Sequence, residues 1–191
     1  MKVVAFNGSA RKDGNTALLL KRVLRVLNAE GIEVELVQLA GENIRGCNAC
    51  RTCYETKNKR CVIENDKVND YIAKMLDADG ILLASPTYFS MMTPELKALI
   101  DRVGYVARAN GHMFKHKVGA AVVAVRRAGG MPTFNAINHL FLISLMIVPG
   151  SSYWNIGVGG KKGDVDADEE GMKTMDDLGK NMAWLIKKLK I

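Results

Sequence analysis

Apolar residues along the chain follow two periodicities: short runs typical of strands, and longer stretches with helical spacing. The runs predict five strands, at residues 2–7, 32–39, 80–84, 118–125 and 146 to about 153. The stretches predict five helices, at residues 16–28, 68–76, 94 to about 101, 131–142 and 169–189. Strands and helices alternate, so the pattern predicts an α/β fold, a doubly wound five-stranded parallel sheet with helices on both faces.

Length and hydropathy limit how this sheet is organised. The 191 residues are 48% hydrophobic and contain no linker or repeat, which predicts a single domain over residues 1–191. The most apolar stretch spans only residues 140–148, whereas a membrane helix needs about 20 residues. The apolar run at residues 1–6 is too short for a signal peptide. We therefore expect no membrane span and a cytoplasmic location.

The chain is basic, with 27 Lys and Arg against 20 Asp and Glu and a net charge of +7. No nucleic-acid-binding motif accompanies this charge, and the basic C-terminal residues suit the end of a helix, so we expect no nucleic-acid partner. The three histidines, His112, His116 and His139, show no ligand spacing. No catalytic acid, base or nucleophile is predicted.

The loop after the first predicted strand reads Gly-Ser-Ala-Arg-Lys-Asp-Gly-Asn-Thr over residues 8–16 and leads directly into a helix. A helix N-terminus attracts anions, and Ser9, Arg11, Asn15 and Thr16 add donors and charge. The alternative is an ordinary turn and helix cap. The loop is neither a P-loop nor a G-x-G-x-x-G dinucleotide loop, which leaves a mononucleotide or flavin phosphate as its ligand.

The loop after the third predicted strand reads Ala-Ser-Pro-Thr-Tyr-Phe-Ser-Met-Met-Thr-Pro over residues 84–94 and faces the same crevice. Tyr88 and Phe89 offer apolar contact, and backbone groups can bond the edge of a planar ring. The alternative for this aromatic pair is core packing.

Together the two loops resemble those of the flavodoxin-like NADPH-dependent FMN reductases, which read G-S-x-R-x-x-x-N-T and S-P-x-Y. The resemblance implies a flavodoxin-like fold that binds FMN. It implies three sets of contacts: Ser9, Arg11, Asn15 and Thr16 to the phosphate; Pro86, Thr87, Tyr88 and Phe89 to the isoalloxazine; and Ala128, Gly129 and Gly130 as a third flavin contact. Arg126 and Arg127 precede this third contact and suit either an anionic flavin or nucleotide, or a solvated loop.

All four cysteines lie in the spacing Cys47-x2-Cys50-x2-Cys53-x7-Cys61. Three closely spaced thiolates and a fourth from a loop suit a [4Fe–4S] cluster, and the bacterial ferredoxin run begins with the same two intervals. Here the last interval is longer, and Val62 replaces the proline that follows the run. A zinc site, a Cys47–Cys50 redox dithiol and plain buried thiols remain as alternatives.

With the flavin loops, this cysteine-rich insert at residues 45–66 resembles the iron–sulfur flavoproteins of anaerobic prokaryotes. The resemblance implies one FMN and one [4Fe–4S] cluster per subunit, with electrons passing from ferredoxin through the cluster to the flavin. It also implies a homodimer or homotetramer in which the cluster of one subunit lies near the flavin of another. Basic residues surround the cysteines and suit an acidic ferredoxin, with a solvated basic loop as the alternative: Arg45, Arg51, Lys57, Lys59 and Arg60.

The leading interpretation is a redox flavoprotein, an oxidoreductase that transfers electrons from a ferredoxin-type donor through a [4Fe–4S] cluster to FMN and on to a small acceptor. One alternative is a cluster-free FMN or quinone reductase that uses NAD(P)H, and another is a non-enzymatic electron carrier. The polar loop at residues 157–170 is interpreted as a lid, an oligomer contact or an ordinary surface excursion.

Overall fold

The computed structural model of the protein describes residues 1–190. Its five strands are β1 (Lys2–Asn7), β2 (Glu33–Gln38), β3 (Gly80–Pro86), β4 (Val118–Val125) and β5 (Ile156–Val158). All neighbouring strands pair in parallel, in the order β2-β1-β3-β4-β5. The strand order reverses between β1 and β3, so a crevice is expected beyond the carboxyl ends of these two strands.

Six α-helices connect or follow the strands: α1 (Asn15–Ala29), α2 (Thr52–Thr56), α3 (Val68–Asp77), α4 (Pro94–Ala109), α5 (Gly130–Ile143) and α6 (Glu169–Leu189). A short 3-10 helix spans Asp164–Ala167. Within residues 1–190, no helix is both long enough and apolar enough to cross a membrane.

Two apolar cores cover the two faces of the sheet. One packs α1 and α6 against the sheet through residues such as Leu19, Leu27 and Met182. The other packs α3, α4 and α5 against the opposite face through residues such as Ile72, Leu99 and Phe141. Strand β4 is buried along its whole length, as expected for a central strand covered on both faces. The predicted fold class is confirmed.

The fifth strand is displaced from its predicted position. Residues 146–153 form one bridge to the sheet, between Val118 and Ile147, and β5 is instead the short segment Ile156–Val158. The apolar run does join the edge of β4, but the chain leaves the sheet at Pro149 and Gly150 and returns at Asn155. The side-chain carboxamide of Asn155 donates to Ala121 O at 3.0 Å, and the backbone carbonyl of Asn155 accepts from Val123 N at 2.9 Å. These two bonds fix the point at which the chain returns to the sheet.

Two other boundaries differ from the predictions. Helix α4 continues to Ala109 because Val103, Val106 and Ala107 extend its buried face beyond Asp101. The cysteine-rich insert contains the unpredicted helix α2 and lies against α4, where Cys53 and Cys61 pack on the core beneath.

Candidate functional site

Three loops that sequence reasoning singled out meet at the carboxyl edge of the sheet. Gly8 N donates to Ala84 O at 2.8 Å, and the Thr93 hydroxyl donates to Gly8 O at 2.8 Å, so the loops after β1 and β3 lie against each other. Thr87 N donates to Ala124 O at 2.9 Å, which joins the β3 loop to the end of β4. The structure therefore brings the predicted phosphate and flavin loops together.

The first loop presents an open helix N-terminus. Helix α1 begins at Asn15 without a side-chain cap, and within residues 1–190 the backbone amides of Asn15, Thr16 and Ala17 have no hydrogen-bond partner. Ser9 Oγ accepts from Arg11 N at 3.1 Å and shapes the turn, while the Arg11 side chain is exposed. Unpaired amides at the positive end of a helix dipole fit a phosphate group.

Asn15 has a contact that its predicted role did not include. Its carboxamide donates to Gly159 O at 3.0 Å and Lys161 O at 2.8 Å, and its oxygen accepts from Gly163 N at 2.9 Å. The side chain thereby fastens the loop at residues 159–163 to the phosphate loop. The segment interpreted from sequence as a lid, oligomer contact or surface excursion thus lies against the start of α1.

The β3 loop ends in a tight turn from Tyr88 to Met91, closed by backbone bonds of 2.9 and 3.0 Å. Its central residues, Phe89 and Ser90, have φ angles of 50° and 60°, a left-handed conformation that costs non-glycine residues free energy. The Phe89 side chain is fully exposed and Tyr88 is 47% exposed. These rings are therefore not core residues, so the core-packing alternative is wrong for both.

The β4 loop closes on this turn. Gly129 has a φ of +81°, and a Cβ placed there would lie 2.7 Å from Ser90 Oγ. A side chain at this position is therefore strained by the positive φ and requires Ser90 Oγ to move, so the two loops lie close together. Arg126, Arg127 and Ala128 are exposed beside it, while Gly130 begins α5. His112 and His116 lie in the loop before β4, at the opposite edge of the sheet.

The four cysteines line one cavity, together with Arg102, Tyr105 and Val106 of α4. Within residues 1–190, no three Cys, His, Asp or Glu side chains are grouped closely enough to hold a single metal ion. Four thiols on one cavity are the ligand type that both zinc sites and iron–sulfur clusters use.

The environments of the four sulfurs differ. Hydrogen bonds from Thr52 hold the pKa of the exposed Cys50 thiol below its usual value. Burial raises the pKa of Cys53, and the neighbouring Cys50, Cys47 and Cys61 raise it further. Ala49 N donates to Cys47 Sγ at 3.4 Å. Backbone strain concentrates in the same segment, where four non-glycine residues have positive φ: Ala49, Arg51, Lys57 and Lys59.

Sequence reasoning did not assign roles to the residues that hold Cys61. Asn69 accepts from Cys61 N at 2.8 Å and donates to Cys61 O at 2.9 Å. Arg102 Nε donates to Cys61 Sγ at 3.3 Å, and the Arg102 guanidinium forms an ion pair with Asp66. Burial lowers the pKa of Arg102, but the bonds to Asp66 and Cys61 outweigh burial and leave this pKa above its ordinary value. One signal was available, since Arg102 stands among Leu99, Val103 and Val106 on the apolar face of α4.

A second cavity, of about 590 Å³, adjoins the cysteine insert between α4 and α5. Tyr54, Tyr105, Arg108 and His139 line it. The five basic residues predicted around the cysteines are all exposed: Arg45, Arg51, Lys57, Lys59 and Arg60. The insert therefore carries more positive than negative charge on its surface, with Glu55 and Glu64 as its exposed acids and Arg60 paired with Glu64 at 4.0 Å.

The comparisons with known proteins agree with this geometry. A family model described as NADPH-dependent FMN reductase matches residues 1–161. An iron–sulfur flavoprotein of Methanocaldococcus jannaschii is 39% identical over an alignment of 197 positions that covers 100% of both chains. An iron–sulfur flavoprotein of Methanosarcina thermophila is 33% identical over 184 residues, which cover 95% of this chain and 93% of that one.

Among solved structures, the flavodoxin, WrbA-like protein of Agrobacterium tumefaciens has a TM-score of 0.70 at 14% identity, and the match covers 98% of this chain and 97% of that chain. At this identity the likeness concerns the fold alone, and it agrees with the parallel strand order described above. The chain therefore belongs to the NADPH-dependent FMN reductase family of FMN-dependent oxidoreductases and, within it, to the iron–sulfur flavoproteins.

Proposed function

We propose that this protein passes electrons from a ferredoxin-type donor, through a [4Fe–4S] cluster held by Cys47, Cys50, Cys53 and Cys61, to FMN and on to a small acceptor. The observation that carries the proposal is the convergence of all four cysteines on one cavity in a chain whose relatives are named iron–sulfur flavoproteins. Bound cluster and flavin would supply the one- and two-electron chemistry, and the chain holds and orients them.

The carboxyl edge of the sheet supports the FMN half of the proposal. The unpaired amides at the start of α1, with Ser9, Arg11 and Thr16, suit the phosphate. The exposed rings of Tyr88 and Phe89, with backbone at Pro86 and Thr87, suit the isoalloxazine. The side-chain-free approach at Gly129, between Ala128 and Gly130, suits a backbone contact to the ring. The carboxamide of Asn15 holds the loop at residues 159–163 against the start of α1.

The insert supports the donor half of the proposal. Its five exposed basic residues give a positive surface next to the cysteines, which attracts a small acidic redox protein over a distance of about 10 Å. A long-range attraction raises the rate of encounter rather than the strength of the final complex.

Exposed apolar residues support assembly into a homodimer or homotetramer. The C-terminal part of α5 and the segment before β5 expose five large apolar side chains, each between 46% and 61%: Leu142, Ile143, Leu145, Tyr153 and Trp154. Three of them, Leu142, Tyr153 and Trp154, line one cavity, and clustered exposed apolar side chains are typical of an association surface.

Electron entry is tested by comparing wild-type protein with Cys50→Ser under anaerobic conditions. We expect a reduced ferredoxin-type protein to bleach the wild-type flavin rapidly, and the variant to keep its FMN but react at least about tenfold more slowly. Thr56→Ser, an exposed change in the same insert, serves as the control and is expected to behave as wild type. Equal rates in wild type and Cys50→Ser, or rapid bleaching by NAD(P)H alone, would favour the cluster-free reductase instead.

A further inference from the structure

Cys61 needs its own support because it does not belong to the short segment, residues 47–53, that carries the other three cysteines. Seven residues separate it from Cys53, and four of the residues preceding it, Lys57 to Arg60, are exposed. Asn69 fixes the backbone of Cys61 through its N–H and its carbonyl. A fixed backbone leaves the side chain free to rotate, so the position of the sulfur depends on what contacts it.

Arg102 donates a hydrogen bond to the sulfur. Its side chain is completely buried, and Nε lies 3.3 Å from Cys61 Sγ. The other nitrogens donate to Arg45 O at 3.3 Å, to Ile63 O at 2.8 Å and to Asp66. All four partners belong to the insert, while Arg102 itself belongs to the rigid helix α4.

A buried guanidinium is costly unless its donors are used, and Asp66, itself 4% exposed, balances its charge. The three oxygen partners account for holding the insert on α4. They do not account for the bond from Nε to Cys61 Sγ, which directs positive charge at one proposed cluster ligand. Hydrogen bonds to ligand sulfurs raise the reduction potential of a cluster because they stabilise its more negative state.

We infer that Arg102 is a positioning residue for the cluster: it holds Cys61 Sγ in place through Nε and makes the cluster easier to reduce. The inference rests on the proposed [4Fe–4S] site, and it assigns a specific task to a residue outside the cysteine motif. Lysine cannot replace arginine here, since one ammonium nitrogen cannot reproduce a planar fork that reaches four acceptors.

The test compares Arg102→Lys with wild type, using anaerobically purified protein that contains both cofactors. We expect the midpoint potential of the cluster to become more negative and its removal by a chelator to become about tenfold faster, with FMN content unchanged. Arg108→Lys makes the same chemical change on an exposed residue of the same helix and is expected to match wild type in all three measurements.

A second variant covers the case in which Arg102→Lys does not fold. Asp66→Asn combined with Arg102→Gln removes both charges of the buried pair, so neither is left unpaired. We expect the same negative shift in potential, or loss of the cluster with FMN retained.

Wild-type potential and retention in a variant that holds its cluster would overturn the inference. So would loss of FMN together with the fold in both variants, which would show a role in the whole structure. Wild-type protein without iron and acid-labile sulfide would instead overturn the proposed function, and this inference with it.

Discussion

Gly8 shows how closely the two flavin loops fit at the level of single atoms. A Cβ at this position would lie 2.9 Å from Ala84 O and 3.0 Å from both Leu96 Cβ and Thr93 Oγ1. Two of these three neighbours, Ala84 and Thr93, also bond the Gly8 backbone. The loop therefore cannot accept a side chain without moving away from β3.

We expect Gly8→Ala to lower the free energy of unfolding by about 1–3 kcal/mol, the usual cost of overpacking, and to weaken FMN binding. Urea unfolding and FMN titration measure the two effects. Gly150→Ala is the matched control, since nothing lies within 4 Å of a Cβ there. FMN affinity that stays at the wild-type level in Gly8→Ala would show that the packing of Gly8 is unimportant for the site.

Asn15, predicted to bind a phosphate, also makes side-chain hydrogen bonds to a distant loop. Asn15→Ala removes three hydrogen bonds to the loop at residues 159–163, each contributing about 0.5–1.5 kcal/mol. We expect faster hydrogen exchange at the Gly163 amide and weaker FMN binding. Asn28→Ala, at the exposed far end of α1, is expected to change neither. Unchanged exchange at Gly163 would contradict the fastening role.

At the scale of elements, a substitution in the Tyr88–Met91 turn can remove an exposed aromatic ring without adding backbone strain. Phe89→Asn introduces a residue that tolerates the left-handed conformation of this position. It also removes the exposed aromatic ring. We expect an unchanged or higher melting temperature and weaker flavin binding, measured by thermal unfolding and by flavin fluorescence. Wild-type flavin affinity in this variant would remove Phe89 from the isoalloxazine site.

The elements that sequence reasoning placed correctly are those with strong patterns. The buried runs of β1, β3 and β4 and the amphipathic period of α6 require no knowledge of their neighbours. The fifth strand was wrong because its edge position depends on Asn155, whose bonds to β4 decide where the chain rejoins the sheet. Helix α2 has five residues and none of them is buried, so the sequence contains no apolar periodicity that would predict it.

At the scale of the whole molecule, some residues of the candidate site could be predicted from local motifs and others could not. Local motifs marked the two candidate flavin loops and the four cysteines, because the residues within each motif are close in sequence. The hydrogen bonds of Asn15 to the loop at residues 159–163 join positions 144 to 148 residues apart in the sequence. The bond from Arg102 to Cys61 joins positions 41 residues apart. Long-range pairs of this kind leave little trace in a single sequence.

The distribution of charge predicts how fast the protein would react with the proposed acidic donor. Lys57→Glu with Lys59→Glu reverses two exposed charges beside the cysteines. We expect a several-fold slower second-order reduction by an acidic ferredoxin-type protein at low ionic strength, and a smaller difference as salt screens the attraction. Lys188→Glu, on the exposed end of α6, is the control. Equal rates for all three proteins at low salt would exclude steering by the insert.

The central claim, one cluster and one FMN on this chain, is tested most directly by cofactor analysis. The measurement assays iron, acid-labile sulfide and FMN on one anaerobically purified sample and records its visible spectrum before and after dithionite. We expect about four irons, four sulfides and one FMN per chain, with a broad absorbance at about 400 nm that bleaches on reduction. A pure flavin spectrum without iron or sulfide, or zinc in their place, would contradict it.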